Sequence, residues 1–338
     1  MKKRILELDA FRGIAAVMVV CFHYVMNTEF GHSIFKVGVT GVDLFYLISG
    51  YVIFMTVEGR ENWKNFIVSR FSRLYPPFWS ALLFTSALYL IFKKDTLTPV
   101  MFIGNLTMIP HILGIEEIDH SYWSLAVEVV FYVLILIALL TKQIKNIEKW
   151  SAVGLVLLVL FHFVSPLLHV EGLLFKISYR IEFLNQAPLF IAGIIFYKMH
   201  HERPTLYRHL LVLCSFVLAC FMHPKGRALQ HISFTEHTIM LMIYFAMFYL
   251  FIYGLIGWIA NTGTLFLGKI SYSLYLIHQY FSLRILIPSL MDAGLPHLHA
   301  CIVSLLIVII TAAGFAYFIE YPLHDKIRAY LKRNTTKV

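Results

Sequence analysis

The chain has 338 residues, 59% of them hydrophobic and 14% charged, with a mean hydropathy of +0.75, a formal net charge of +9 and a pI near 9.3. Apolar runs recur along its whole length and exceed what a soluble core absorbs, so the composition points to an integral membrane protein. The basic excess does not signal nucleic acid, because Lys and Arg gather between the apolar runs instead of in one patch.

Ten spans follow in chain order, near residues 8–27, 37–57, 74–92, 121–141, 151–168, 183–199, 208–222, 238–259, 271–290 and 299–319. The expected fold is therefore all-α and polytopic, with about ten transmembrane helices in one domain over residues 1–338, ending in a short basic cytoplasmic tail at 323–338. Leu8 onward reads as a permanent span and not as a removable signal. Between Lys93 and His120, the apolar stretch Thr98–Ile109 is short, broken by Gly104 and bounded by Pro99 and Pro110. It reads as an interfacial or re-entrant element. The uncharged run His237–Gly268 is longer than a bilayer needs, and the turn signal Asn261-Thr262-Gly263-Thr264 is taken to end its helix. Cys21, Cys214, Cys220 and Cys301 lie in apolar surroundings without ligand spacing, and no histidine pair makes a metal site.

The basic residues set the orientation. With the N-terminus inside, the inner segments carry nineteen Lys and Arg and the outer segments seven, which predicts cytoplasmic N- and C-termini.

Ionisable residues within the spans mark a site. Arg12 and His23 are eleven positions apart in the first span, a separation that returns to within about 20° of one helix face about 16 Å further along the axis. A cation and an imidazole in a membrane helix are costly unless they face protein or water. On the predicted orientation Arg12 lies toward the cytoplasm and His23 near or beyond the midplane. Asp43 falls about 9 Å and Glu128 about 10 Å below the outer boundary, so both carboxylates approach the level of His23. Arg70 and Arg73, one helical turn apart just before the third span, lie at a level comparable to Arg12, and guanidinium forks suit phosphate oxygens. No P-loop or Rossmann glycine pattern occurs, so a nucleoside carrier would be held by charge and shape. A secondary transporter of a small polar solute would also place charges near the midplane.

Six motifs taken in series, Arg12 with His23, Gly41-Val42-Asp43-Leu44-Phe45-Tyr46-Leu47-Ile48-Ser49-Gly50-Tyr51, Arg70-Phe71-Ser72-Arg73-Leu74-Tyr75-Pro76, Tyr122-Trp123-Ser124-Leu125-Ala126-Val127-Glu128, Ser271-Tyr272-Ser273-Leu274-Tyr275-Leu276-Ile277-His278 and Glu320-Tyr321-Pro322, resemble the membrane-bound acyltransferase-three family, the OafA-like O-acyltransferases. Some relatives add a periplasmic hydrolase-like domain; this chain resembles the stand-alone form. Val129 stands where an acidic residue is common, leaving Glu128 as the carboxylate of its motif.

The resemblance implies a multi-pass protein of the bacterial cytoplasmic (inner) membrane. It would transfer an acyl group, usually acetyl, from acetyl-CoA or another acyl-CoA to a hydroxyl of a glycan or glycolipid acceptor, with no metal. Arg12 and His23 would be the signature pair. His23 would act as general base or as a transient acyl carrier, with Asp43 or Glu128 holding its imidazole. Arg12, Arg70 and Arg73 would bind CoA phosphates. Trp123, Tyr272, Tyr275 and His278 are further candidates to line the cavity.

Overall fold

A computed structural model describes residues 4–26, 28, 31, 33–59, 62–93, 95–164, 176–177, 180–223 and 231–335, and among them there is no strand. The helices are α1 Leu6–Val25, α2 Gly41–Val57, α3 Trp63–Phe92, α4 Pro99–Asn105, α5 Trp123–Leu140, α6 Ile147–Val159, α7 Phe183–His201, α8 Leu206–Phe221, α9 Phe234–Ile252, α10 Thr262–Tyr280, α11 Ile287–Asp292, α12 His297–Phe315 and α13 Tyr321–Thr335. Six helical stretches among the described residues are long and apolar enough to cross a bilayer. They contain α1, α2, α3, α5, α9 and α12. The protein is an all-α polytopic membrane protein. The fifth expected span begins as α6 and continues through a π-helical turn, Leu160–Val164, while residues 165–168 lie outside the described residues.

Three boundaries differ from expectation in ways that shape the interior. Helix α3 starts at Trp63 instead of near 74, capped by Asn62, whose side chain accepts the amide of Asn65, and it continues through Pro76 and Pro77. Arg70 and Arg73 delay the apolar run without breaking the helix, so they sit on its shaft instead of in a loop. Helix α9 ends at Ile252, and Gly254 turns the chain at φ +72, a conformation open to glycine. The turn signal at Asn261 is instead the start of α10: the Asn261 side chain accepts the amides of Gly263 and Thr264. The short apolar stretch after Thr98 forms the seven-residue α4, with Thr98 accepting the amide of Met101. The basic tail is helical in α13 as far as Thr335.

Helix α1 packs most extensively against α10, and α2 against α7. The α1–α10 approach depends on two missing side chains. A Cβ at Gly268 would lie 2.1 Å from the Asp9 carbonyl oxygen, and one at Gly13 would lie 2.6 Å from the Gly268 amide nitrogen. Such close backbone contact is the packing available where lipid removes the hydrophobic drive between helices. It seats α10 directly beside the helix that carries Arg12 and His23.

Candidate active site

Three adjoining cavities run through the bundle from the end that carries Arg4. The first, of about 300 Å³, is lined by Arg4, Asp9, Arg12, Arg73, Lys269, Tyr272, Glu320 and His324 among others. The second, smaller at about 80 Å³, is lined by Ser49, Arg12, Arg70, Arg73, Glu128, Tyr132, Tyr272 and Tyr275 among others. The third, of about 380 Å³, holds His23, His120, Trp123, His231, Tyr275 and Gln279. Arg12, Arg73, Ser271 and Tyr272 border both the first and the second cavity, and Val42 and Tyr275 border both the second and the third. Arg12, between the first and second cavities, and His23, on the third, thus open onto one path.

Helical stripes build the walls. On α2 the lining residues of the second cavity are Val42, Phe45, Tyr46 and Ser49, and on α5 they are Ser124, Leu125, Glu128 and Tyr132. Spacings of three and four keep each set on one face. Arg12, Arg70 and Arg73 enter this space from α1 and α3. None of the three pairs with a carboxylate among the described residues. Arg70 donates to Ser69 Oγ at 3.0 Å and lies 5.9 Å from the Tyr132 ring centroid, while its Nε is buried without a partner. Carboxylates share these cavities, Asp9 and Glu320 in the first and Glu128 in the second, and the clustered guanidinium groups beside them present hydrogen-bond forks of the kind that suit an anion.

The carboxylates do not meet His23. Asp43 is one position, or about 100°, off the lining stripe of α2, and it lines none of the three cavities. Its Oδ2 instead accepts from His237 Nε2 at 3.0 Å, in the first turns of α9. Glu128 lies on the stripe but faces the arginines. Its Oε1 accepts the Ser49 hydroxyl at 2.8 Å and the Tyr132 hydroxyl at 2.5 Å. The expectation that one of these two residues holds the imidazole is corrected: a shared depth did not specify a shared direction.

His23 meets another imidazole. Its Nδ1 is 2.9 Å from the Val19 carbonyl oxygen and 3.2 Å from His278 Nε2, and His278 Nδ1 is 2.8 Å from the Tyr275 carbonyl oxygen. No described residue hydrogen-bonds to His23 Nε2. Of the other expected lining residues, Trp123 borders the third cavity, Tyr272 the first and second, and Tyr275 the second and third. The Tyr275 hydroxyl is fixed by Ser124 Oγ at 2.6 Å and by the Ser121 carbonyl at 2.9 Å. The Tyr272 hydroxyl donates to the Leu74 carbonyl at 2.9 Å.

Asp119 was missed in the sequence. It is buried within electrostatic reach of His23, with Oδ1 accepting the Ser121 amide at 2.9 Å and hydroxyl at 2.6 Å, and Oδ2 accepting the Tyr280 amide at 2.9 Å. Its signal was the Asp-x-Ser spacing of a helix cap immediately before the fourth span. His120 and Gln279 were also missed; Gln279 directly follows one of the quoted motifs and His120 lies two positions before another.

Fold and site together define a polytopic helical membrane protein in which adjoining cavities lead from a cluster of arginines to an imidazole. The chain belongs to the acyltransferase-three family: the family model described as an acyltransferase domain matches residues 5–318. It is 22% identical, over an alignment of 383 residues covering 94% of this chain and 57% of the relative, to O-acetyltransferase OatA of Staphylococcus aureus (strain NCTC 8325 / PS 47). It is 25% identical over 168 residues to peptidoglycan O-acetyltransferase OatA of Listeria monocytogenes, covering 43% of this chain and 26% of the relative. It is 26% identical over 147 residues to a putative peptidoglycan O-acetyltransferase, YrhL, of Bacillus subtilis (strain 168), covering 38% of this chain and 22% of the relative. The matched regions span from about a quarter to just over half the length of these relatives. No solved structure matches the chain significantly.

Proposed function

We propose that this protein is a membrane O-acyltransferase that carries an acyl group, acetyl in the simplest case, from acyl-CoA to a hydroxyl of a cell-envelope glycan. The observation that carries the proposal is the path of three cavities, with unpaired arginines at one end and His23 at the other. Family membership and the O-acetyltransferase names of the relatives favour acyl transfer over solute transport.

In this reading the end bearing Arg4 faces the cytoplasm, in keeping with the inner excess of Lys and Arg. CoA phosphates bind at Arg12, Arg70 and Arg73, and the thioester arm extends along the small second cavity toward His23. The third cavity admits the acceptor. His23 removes the proton of the attacking hydroxyl as its oxygen bonds to the thioester carbonyl carbon. The carbon–sulfur bond then breaks, and the thiolate leaves with the proton that His23 had taken. The buried Asp119 carboxylate favours the transient imidazolium. The path through the bundle holds both substrates along one line, which favours the geometry of attack.

Peptidoglycan, which appears in the names of two relatives, is the first acceptor to test. The direct assay supplies purified protein in detergent with radiolabelled acetyl-CoA and muropeptide or oligosaccharide acceptors. Label on an acceptor hydroxyl, released by mild base, is expected. Failure to consume the thioester with any glycan, alongside measurable movement of a solute across proteoliposomes, would overturn the proposal.

A further inference from the structure

The site as proposed leaves open which nitrogen of His23 is the base, and neither carboxylate expected to decide it is within reach. The packing of α1 on α10 supplies another partner. Gly13 and Gly268 touch at the crossing of the two helices, and His23 and His278 each lie ten residues further along. Two helices running the same way rise equally over ten residues, about 15 Å, so the close contact below delivers the two imidazoles side by side above.

We infer that His278 is a positioning residue that holds His23 in the Nδ1–H tautomer and so leaves Nε2 as the basic nitrogen. The inference rests on the reading of His23 as the base. A carbonyl oxygen only accepts, so His278 Nδ1, 2.8 Å from the Tyr275 carbonyl, carries the proton. In the neutral ring His278 Nε2 is then a lone pair. It lies 3.2 Å from His23 Nδ1, which must donate to it. The Val19 carbonyl, 2.9 Å from the same His23 nitrogen, demands a donor there too. Two acceptors therefore agree on one tautomer. His278 has 0% exposure, is held in α10 by its own backbone contact and, against expectation, lines none of the three cavities, so its action runs through His23.

The experiment combines nitrogen NMR with kinetics. In the native protein with 15N-labelled histidine, the His23 resonances, assigned by their loss in His23→Gln, are expected to show a protonated Nδ1 and an unprotonated Nε2. The opposite tautomer would overturn the inference without requiring any His278 variant to fold. His278→Leu removes the acceptor and should lower kcat by on the order of 100-fold or more, with the acyl-CoA KM unchanged because the arginines are untouched. His278→Gln keeps an acceptor oxygen and should recover kcat to within about tenfold of native. Near-native kcat in His278→Leu would refute the positioning role, as would a folded His278→Gln no better than His278→Leu. An active His23→Ala would instead overturn the assignment of the base itself, which keeps the two failures apart.

Discussion

Replacing both Arg70 and Arg73 with Gln separates a binding role from a structural one. If each arginine makes one charge-assisted contact to a CoA phosphate, worth about 1.5–3 kcal/mol, the double variant loses roughly 3–6 kcal/mol of donor binding. That corresponds to a rise in Kd of about 10² to 10⁴-fold. The cost in folding should be far smaller. Neither arginine makes a salt bridge with a carboxylate among the described residues, so what the acids lose is the longer-range support that Arg73 gives Glu320 and Arg70 gives Glu128. Arg70 forfeits its place beside the Tyr132 ring, worth about 0.5–1 kcal/mol, and its bond to Ser69. Removing Arg73 relieves its repulsion of Arg12, which offsets part of that loss. Titration calorimetry with CoA, beside thermal unfolding in the same detergent, reads both quantities. CoA binding within about twofold of native in a stable double variant would refute the anion site and return the arginines to topology anchors.

His23→Ala should abolish transfer while CoA still binds with native affinity, since the base is lost and the arginines remain; turnover near the native rate would exclude His23 as the base. Glu128→Gln removes a negative charge from the arginine cavity while retaining hydrogen-bonding atoms for Ser49 and Tyr132, so CoA should bind several-fold more tightly, and unchanged affinity would place Glu128 outside the donor field. Gly268→Ala should lower the unfolding free energy by about 1–3 kcal/mol and reduce kcat, because the added methyl pushes α10 off α1; a variant with native stability and rate would contradict the packing argument. In a background lacking the native cysteines, Ile34→Cys, at a residue 79% exposed, should react with an impermeant thiol reagent added to intact cells while Lys64→Cys should not, and the reverse would invert the membrane orientation.

Much of this architecture was legible because the bilayer restricts the choices. Long apolar runs gave the helices, and the eleven-residue spacing placed Arg12 and His23 on one path. Helix ends were harder. The cap at Asn261 and the chain reversal at Gly254 use the same residue types, so the sequence blurred which one closed the helix before it. Neighbours across the bundle were the least legible. Depth put Asp43, Glu128 and His23 near one level, yet a single step around α2 sends Asp43 to His237, 194 positions away. The pairing of His23 with His278 arises from the Gly13–Gly268 contact, and no one-dimensional pattern records that the two glycines meet.

Sealed vesicles of both orientations test the central claim most directly, by following label from acetyl-CoA to glycan across the membrane. Inverted vesicles, given impermeant labelled acetyl-CoA on their outer, cytoplasmic surface, are expected to accumulate acetylated glycan in the lumen, and His23→Ala is expected to abolish it. Equal labelling when right-side-out vesicles receive acetyl-CoA on their external surface, or luminal labelling that survives His23→Ala, would contradict a path that runs from the arginines to His23.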